Sequence, residues 1–182
     1  MKDAIYIPAY SSKIAKFSMQ QPRRNTYDDD ISRQIMKAEF QRKFPSLRVE
    51  EMGEKDYCDL IAYNSKDELE CFFELDHTNS SKLYWPWYSI LERKIDTMSE
   101  MNLRAPVIMV WMTKELTEYR ALNLRSVDWK SFPIQPIPYK AKENIENLVH
   151  PDDFHIRVPF KALKNNPVFT VGEDDGVERF MK

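Results

Sequence analysis

Glycine is scarce in this chain, with only Gly53, Gly172 and Gly176 among 182 residues. Loops that cradle nucleotide phosphates need closely spaced glycines at the start of a helix. The three glycines present form neither a Walker loop nor a dinucleotide-binding fingerprint. Their scarcity therefore disfavours the enzymes that bind nucleotides in this way.

Cysteines and long apolar runs are scarce as well. Cys58 and Cys71 are the two cysteines; both lie in apolar, strand-like runs and form no CxxC pair, so we expect reduced, buried thiols. A zinc site from Cys58, Cys71 and His77 stays open as an alternative, although it lacks the usual ligand spacing. No apolar run reaches about eighteen residues, and residues 1–10 lack the pattern of an export signal. We expect a soluble, cytoplasmic protein with no membrane partner.

The size of the chain indicates whether a metal would be needed for folding. A hydrophobic share of 42% over 182 residues is typical of one globular domain, which buries about 70% of its unfolded surface and needs no metal to fold. Any metal would then serve chemistry. A net charge of −2 means that nucleic-acid binding needs a local basic patch. We divide the chain into an N-terminal arm (1–27), a core (28–125) and a C-terminal extension packed on the same domain (126–182).

A helix is predicted from Asp28 to Phe44. The acidic run at Asp28 complements the dipole of a helix start, and Pro45 ends the helix. A metal site at that run is the alternative interpretation. Glu39 falls between two apolar stripes of the helix, so it either points inward or remains a partly exposed helix glutamate.

The rest of the core is predicted as an antiparallel meander, a helix and a buried strand. The apolar run Val107–Met112 is typical of a strand covered on both faces. The fold class is therefore α/β, with the order αβββαβ and a mixed central sheet flanked by helices. The remaining predicted elements are strands at Leu47–Met52, Tyr57–Tyr63 and Glu70–His77, a helix at Trp87–Met101 with its apolar face at Tyr88, Leu91, Ile95 and Met98, a short helix at Lys114–Leu124, and a strand near Phe154–Phe160.

Three acids within the predicted strands carry the chemical argument. Alternation along a strand puts Glu74 and Asp76 on one side of theirs, and Asp59 can face the same point from the neighbouring strand. Two carboxylates about 5 Å apart repel by roughly 3 kcal/mol at an effective dielectric of about 20. A bound cation removes that conflict, and oxygen ligands suit Mg²⁺ or Mn²⁺.

The placement of these acids resembles the PD-(D/E)XK, or restriction-endonuclease-like, superfamily of nucleases. The motifs are Cys58-Asp59 opening one strand, Glu74-Leu75-Asp76 closing the next, and Glu39 in the preceding helix. The resemblance covers about half of the chain, from Asp28 to Thr113. It implies that Asp59, Glu74 and the Leu75 carbonyl hold the metal, with Glu39 as an accessory acid.

The chain departs from that family where a lysine is expected, because position 76 is Asp. Some members take the lysine from the following helix, and Lys94 lies beside the sheet-facing stripe of that predicted helix, whereas Arg93 points away. The segment Trp85-Pro86-Trp87 leading to Arg93-Lys94 is similar to uncharacterised phage and bacterial members. Lys94 is our candidate for the missing cation, with a solvated helix lysine as the alternative. Asp76 would bind a second metal or act as a general base.

The resemblance implies a metal-dependent endonuclease with a phage, mobile-element or defence-related role, which uses Mg²⁺ or Mn²⁺. Two alternatives stay open: an inactive nuclease-fold protein that binds nucleic acid or a protein partner, and an unrelated α/β interaction module. We expect DNA before RNA as the partner, and a homodimer is considered. His77 alternates to the face opposite Asp76, which favours a structural role. Candidate phosphate contacts are Arg23, Arg24, Lys82 and Arg93, and Tyr84, Trp85 and Trp87 either stack on bases or pack.

Overall fold

A computed structural model describes residues 26–53, 58–78, 81–83, 87–91, 94–136, 154–163 and 166–173. Within these ranges the chain forms two α-helices, several short 3₁₀ turns and two sheets. No helix among the described residues combines the length and apolar character needed to cross a membrane. The elements, in chain order, are α1 (Thr26–Lys43), β1 (Arg48–Glu51), β2 (Leu60–Tyr63), β3 (Leu69–His77), β4 (Trp87–Leu91), α2 (Ile95–Arg104), β5 (Val107–Met112), β6 (Glu118–Asn123), β7 (Ile134–Pro136), β8 (Phe154–Pro159) and β9 (Phe169–Thr170).

The larger sheet is mixed and has six strands in the order β1-β2-β3-β5-β6-β9. The first three strands form the predicted antiparallel meander. β3 then pairs in parallel with β5, and a parallel pair requires a crossover connection, which here includes α2. The predicted α/β class with a mixed sheet flanked by helices is confirmed, with β4 as an addition to the αβββαβ order.

Side-chain alternation gives the larger sheet two apolar faces, each covered by different elements. On one face, Phe40 of α1 stacks on Phe73 with ring centroids 4.2 Å apart. On the other, Phe72 and Trp111 belong to a cluster that also contains residues of α2, β4 and β8, such as Met98. The sheet is therefore covered on both sides. Because β5 lies between two other strands of this sheet, all six of its residues are buried, as its apolar sequence predicts.

The predicted helix at Trp87–Met101 is wrong in its first half. Residues 87–91 form β4, which pairs antiparallel with β8, and the helix begins only at Ile95. Tyr88 and Ile90 are buried on either side of half-buried Ser89, which is the two-residue period of a strand. A short apolar run fits the period of a helix as well as that of a strand. Pairing with a strand more than sixty residues further along decides between them.

The predicted helix at Lys114–Leu124 is also wrong, because residues 118–123 form β6. The chain turns first: Leu116 has a positive φ of 56°, and the Thr113 hydroxyl accepts hydrogen bonds from the amides of Thr117 and Glu118, both at 3.1 Å. The segment is rich in good helix formers, yet pairing with the edge of β5 outweighs that weak local preference.

The C-terminal strands complete both sheets. The strand predicted near Phe154 is confirmed as β8, which lies between β4 and β7 in a three-stranded sheet. β9 adds to the edge of the larger sheet beside β6. The predicted N-terminal arm, apart from the first residues of α1, lies outside the described residues.

Candidate functional site

Asp59 immediately precedes β2, close to the end of β3. Leu60 pairs with Phe73, and the Asp59 amide also donates to the Phe73 carbonyl at 3.0 Å. β2 begins only at Leu60, whereas β3 continues to His77. The end of β3 therefore extends past β2, and Asp59 lies at the start of that extension.

Glu74 is a buried acid with a lysine partner. Its side chain lies on the Phe72 face of β3, is 2% exposed, and forms an ion pair with the Nζ of Lys94. Lys94 immediately precedes α2, which covers this face. A carboxylate removed from water needs a cation or hydrogen bonds to remain ionised at low cost. Lys94 supplies that charge.

Lys94 contacts Glu74, but not for the reason used in the prediction. The prediction assumed that Leu91 and Lys94 lie on the same helix, whereas Leu91 is the last residue of β4. Lys94 instead lies at the turn between β4 and α2, where its side chain reaches Glu74 on β3. The contact with Glu74 is present although the predicted helix is wrong, and the catalytic role of Lys94 stays a prediction.

The carboxylate of Asp59 is held by groups from β3 and α1. Its Oδ2 accepts a hydrogen bond from the Leu75 amide at 2.8 Å. Its Oδ1 lies 3.9 Å from a guanidinium nitrogen of Arg33, which also forms an ion pair with Asp30. Asp59 is thereby fixed to the extending end of β3 and neutralised from the α1 side.

The predicted cluster of three acids is not formed. Over the described ranges of the chain, no group of three or more His, Cys, Asp or Glu side chains is close enough to hold a metal ion. Asp59 and Glu74 are each neutralised by a cation from a different helix region. Asp76 is partly exposed and lies opposite Trp111 in the register with β5. The crowding that motivated the prediction is relieved by Arg33 and Lys94.

The donor set still fits a hard divalent cation held by two carboxylates and one carbonyl. The amide and carbonyl of a strand residue point to the same edge, and the Leu75 amide donates to Asp59, so the Leu75 carbonyl belongs to the Asp59 side. Oxygen donors of these kinds are what Mg²⁺ and Mn²⁺ take. The zinc alternative has no such support, because Cys58 and Cys71 belong to different core clusters.

Glu39 points inward but does not join Asp59 and Glu74. Its carboxylate lies 3.1 Å from Lys43 and 3.2 Å from Arg42, and it accepts a hydrogen bond from the Gly172 amide at 3.0 Å. Glu39 follows Arg33 by six positions on α1, which is about 9 Å along the helix axis. Glu39 therefore takes part in an ion-pair cluster towards the C-terminal end of α1, beside β9.

His77 lies on the α1 side of the sheet, opposite the face of Asp76. Its Nε2 and the Ser32 hydroxyl are 2.7 Å apart and share a hydrogen bond. Together with Asp59, Leu75 and Met112 they line a small cavity of about 20 Å³, the size of a single water site. The Ser32–His77 contact ties α1 to the end of β3.

The sequence reasoning missed Ser32 and Arg33. A signal existed, because Ser32 and Arg33 precede Met36 by four and three positions and so continue the apolar stripe of α1. A hydroxyl and a guanidinium on a buried stripe need polar partners. That argument predicts burial, and the structure supplies the partners.

The predicted nucleic-acid contacts are mostly outside the described residues. Arg23, Arg24, Trp85 and Arg93 lie there, as does Tyr84. Lys82 lies within the described residues and is exposed. Trp87 is the first residue of β4, and only its backbone is described.

Comparisons with known proteins add one weak structural similarity. No family model matches the chain. No curated protein matches it either. Among solved structures, the Holliday junction resolvase Hjc of Archaeoglobus fulgidus aligns over 75% of this chain and 90% of that chain, with 7% sequence identity and a TM-score of 0.42.

Proposed function

We propose that the protein is a metal-dependent nuclease that hydrolyses phosphodiester bonds of nucleic acid. One observation carries the proposal: a buried glutamate, Glu74, forms an ion pair with Lys94, and the amide of the next residue, Leu75, holds the carboxylate of Asp59. A buried carboxylate with its own ammonium contributes little to stability compared with apolar side chains of similar size. Such a pair, on the part of β3 that extends past β2, is better explained by chemistry.

Each residue has a role that its position supports. Asp59, Glu74 and the Leu75 carbonyl hold one Mg²⁺ or Mn²⁺ ion, which polarises a phosphoryl oxygen and activates a water molecule when bound. The Leu75 amide keeps Asp59 oriented. Lys94 places its ammonium beside the Glu74 carboxylate, where it stabilises the negative charge that grows on the phosphate in the transition state.

Asp76 is placed to handle a proton. It follows Glu74 by two residues on the same face of β3, and it is partly exposed. A partly exposed carboxylate can accept a proton from an attacking water and release it to solvent. We assign it the role of general base, with a second metal as the alternative.

The substrate is nucleic acid, with DNA preferred over RNA in our proposal, and the biological setting is a phage, mobile-element or defence system. Lys82 is exposed and is proposed to contact a phosphate. Arg23, Arg24 and Arg93 are the further basic residues proposed to contact phosphates, and Trp85 is proposed to stack on a base.

The test is a cleavage assay on plasmid, single-stranded DNA and RNA, with Mn²⁺, Mg²⁺ or EDTA. Asp59→Asn and Glu74→Gln should each lose at least about 100-fold in rate, as expected for loss of a group that stabilises the transition state. Glu70→Gln is the matched control, because Glu70 is exposed on the same strand as Glu74. Unchanged cleavage by Asp59→Asn and Glu74→Gln would remove the site assignment.

An inactive nuclease-fold protein that binds nucleic acid is the second candidate. The observation that favours it is the neutralisation of both acids by Arg33 and Lys94, together with Asp76 in place of the usual lysine. Fluorescence anisotropy with a labelled oligonucleotide separates the two candidates. Binding without cleavage in Mn²⁺ or Mg²⁺ supports the second candidate, and metal-dependent cleavage supports the first.

A further inference from the structure

Arg33 is a buried cation that the proposed mechanism does not yet use. We propose that Arg33 is a substrate-contacting residue: when the metal binds, its guanidinium exchanges Asp59 for a phosphate of the nucleic acid, so that metal and nucleic acid bind cooperatively. This inference rests on the proposed function and specifies how the same site takes its substrate.

The geometry allows Arg33 to leave Asp59 without releasing the carboxylate. The guanidinium lies 3.9 Å from Oδ1, which is an ion-pair distance and too long for a hydrogen bond. The other oxygen, Oδ2, is held at 2.8 Å by the Leu75 amide. Asp59 therefore keeps its anchor to β3 when Arg33 moves.

The charges explain why a metal alone should bind weakly. Asp59 faces Arg33 and Glu74 faces Lys94, so both carboxylates are already neutralised. A divalent cation that binds between the acids meets two positive side chains at short range, and like charges a few ångströms apart repel strongly away from bulk water. Metal binding must displace or oppose both side chains.

A phosphate of the nucleic acid reduces this repulsion, because it gives Arg33 a new ion-pair partner in place of Asp59. A guanidinium forms paired hydrogen bonds with phosphate oxygens, a geometry that lysine cannot reproduce. The side chain of Arg33 is only 8% exposed, but its partner Asp30 is 54% exposed. The Arg33–Asp30 pair thus leads from the buried site to the surface, where a phosphate can reach the guanidinium.

The consequence is a coupling between the two ligands. A phosphate that takes Arg33 away from Asp59 raises the affinity of the site for metal, and bound metal raises the affinity for nucleic acid by the same factor. Removal of the Arg33 charge should therefore have two opposite effects: tighter metal binding alone, and loss of the enhancement by nucleic acid.

The experiment measures Mn²⁺ binding by electron paramagnetic resonance, with and without oligodeoxythymidylate. The parent protein keeps Lys94, because its removal would leave Glu74 buried without that cation, and a gel run after each titration checks that the oligonucleotide is intact. Arg33→Gln should bind Mn²⁺ alone about 5-fold or more tighter than the parent. The oligonucleotide should raise the Mn²⁺ affinity of the parent by at least about 5-fold, the lower range of coupling between sites, and raise that of Arg33→Gln little.

Two further variants keep the test decisive. Lys37→Gln removes the same charge from the same helix, but at an exposed pair with Glu51 at 3.6 Å, and should behave like the parent. Arg33→Lys keeps the charge and loses the planar fork, so it should bind Mn²⁺ alone as weakly as the parent while losing most of the enhancement. If Arg33→Gln does not fold, as judged by its melting curve, Arg33→Lys carries the test.

The outcomes separate this inference from the proposed function. Equal Mn²⁺ affinity and equal enhancement in the parent and the Arg33 variants overturn the role of Arg33, even when the wild-type protein cleaves nucleic acid. Failure of the wild-type protein to bind Mn²⁺ or cleave nucleic acid under any condition overturns the proposed function, and this inference with it.

Discussion

At the scale of single residues, each of two buried carboxylates is matched to a lysine. Glu74 contacts Lys94, and Glu39 contacts Lys43. Such matching lowers the cost of removing a charge from water but rarely makes the pair better than apolar packing. The Glu39 pair lies beside the β9 segment, whereas the Glu74 pair lies on the part of β3 that extends past β2. Position, rather than burial, distinguishes the structural pair from the one proposed for chemistry.

His155 is a buried residue that should make stability depend on pH. It is 1% exposed, and the Arg157 side chain donates a hydrogen bond to its Nε2 at 3.1 Å, which requires a neutral ring. Burial first, and then the charge of Arg157, lower the pKa of His155 below its ordinary value. The unfolded chain therefore binds the proton more readily, so stability is full above about pH 6.5 and falls as the pH drops below it.

The measurement is urea unfolding of the wild type and His155→Gln from about pH 8 to about pH 5. Below about pH 6.5 the wild type should lose up to about 1.4 kcal/mol per pH unit more than the variant. Parallel pH profiles for the two proteins would contradict the assignment. The comparison with the variant is needed because other groups also titrate at acid pH.

The sequence predicts which face of a strand an acid occupies better than it predicts the cations beside that acid. Alternation along a strand is a local rule, so it places Glu74 and Asp76 on one face of β3 without knowledge of the rest of the fold. Arg33 reaches Asp59 from another element twenty-six positions earlier in the chain, and no local period encodes such a contact. The prediction of mutual crowding failed because it counted the acids of the two strands and not the cations of the helices.

At the scale of elements, the Glu39 cluster fastens the end of the larger sheet to α1. Glu39 contacts Lys43 and the Gly172 amide, which follows β9. Lys43 is 1% exposed and lies over the rings of Tyr119 and Phe169. The short strand β9 has only two residues in its pairing with β6, so this cluster supplies much of what holds it in place.

Glu39→Ala should therefore be strongly destabilising, because it removes the carboxylate that lies 3.1 Å from the buried Lys43 ammonium. We expect a loss of about 3–5 kcal/mol in the free energy of unfolding. Glu51→Ala is the matched control, since its pair with Lys37 is exposed and is worth less than about 1 kcal/mol. Urea unfolding measures both changes.

The same variant also tests the accessory role first assigned to Glu39. Where Glu39→Ala remains folded, its Mn²⁺ affinity should equal that of the wild type, because Glu39 lies with Lys43 rather than with Asp59. A loss of stability similar to that of Glu51→Ala, or a loss of Mn²⁺ affinity in the folded variant, would contradict the structural role.

Elements with a local signature were predicted well, and elements fixed by distant partners were not. β5 is apolar at every position, so its burial between strands and its bounds follow from the sequence alone. β4 and β6 carry residues that suit either helix or strand, and their pairing with β8 and β5 decides their conformation. Pairing between strands that are far apart in the chain depends on closing the loop between them. Its free energy therefore cannot be predicted from a short stretch of sequence.

At the scale of the whole molecule, the site lies at the end of β3, where elements that cover the two faces of the larger sheet both reach the same strand. α1 brings Arg33 from one face, and the start of α2 brings Lys94 from the other. The acids between them belong to the sheet itself. An ion bound there would contact only the folded protein, so its affinity should appear directly as thermal stability.

A thermal melt in Mn²⁺ against EDTA measures that link without any substrate. At a Mn²⁺ concentration of about 100 times the Kd, the native state gains about 2.7 kcal/mol, which raises the Tm of a chain of this size by roughly 5–11 °C. Asp59→Asn should show no such rise. The chain buries two apolar clusters without any metal, so a cooperative transition should persist in EDTA. Loss of that transition in EDTA would instead make the metal structural, and the acids of β3 would then serve folding rather than phosphodiester hydrolysis.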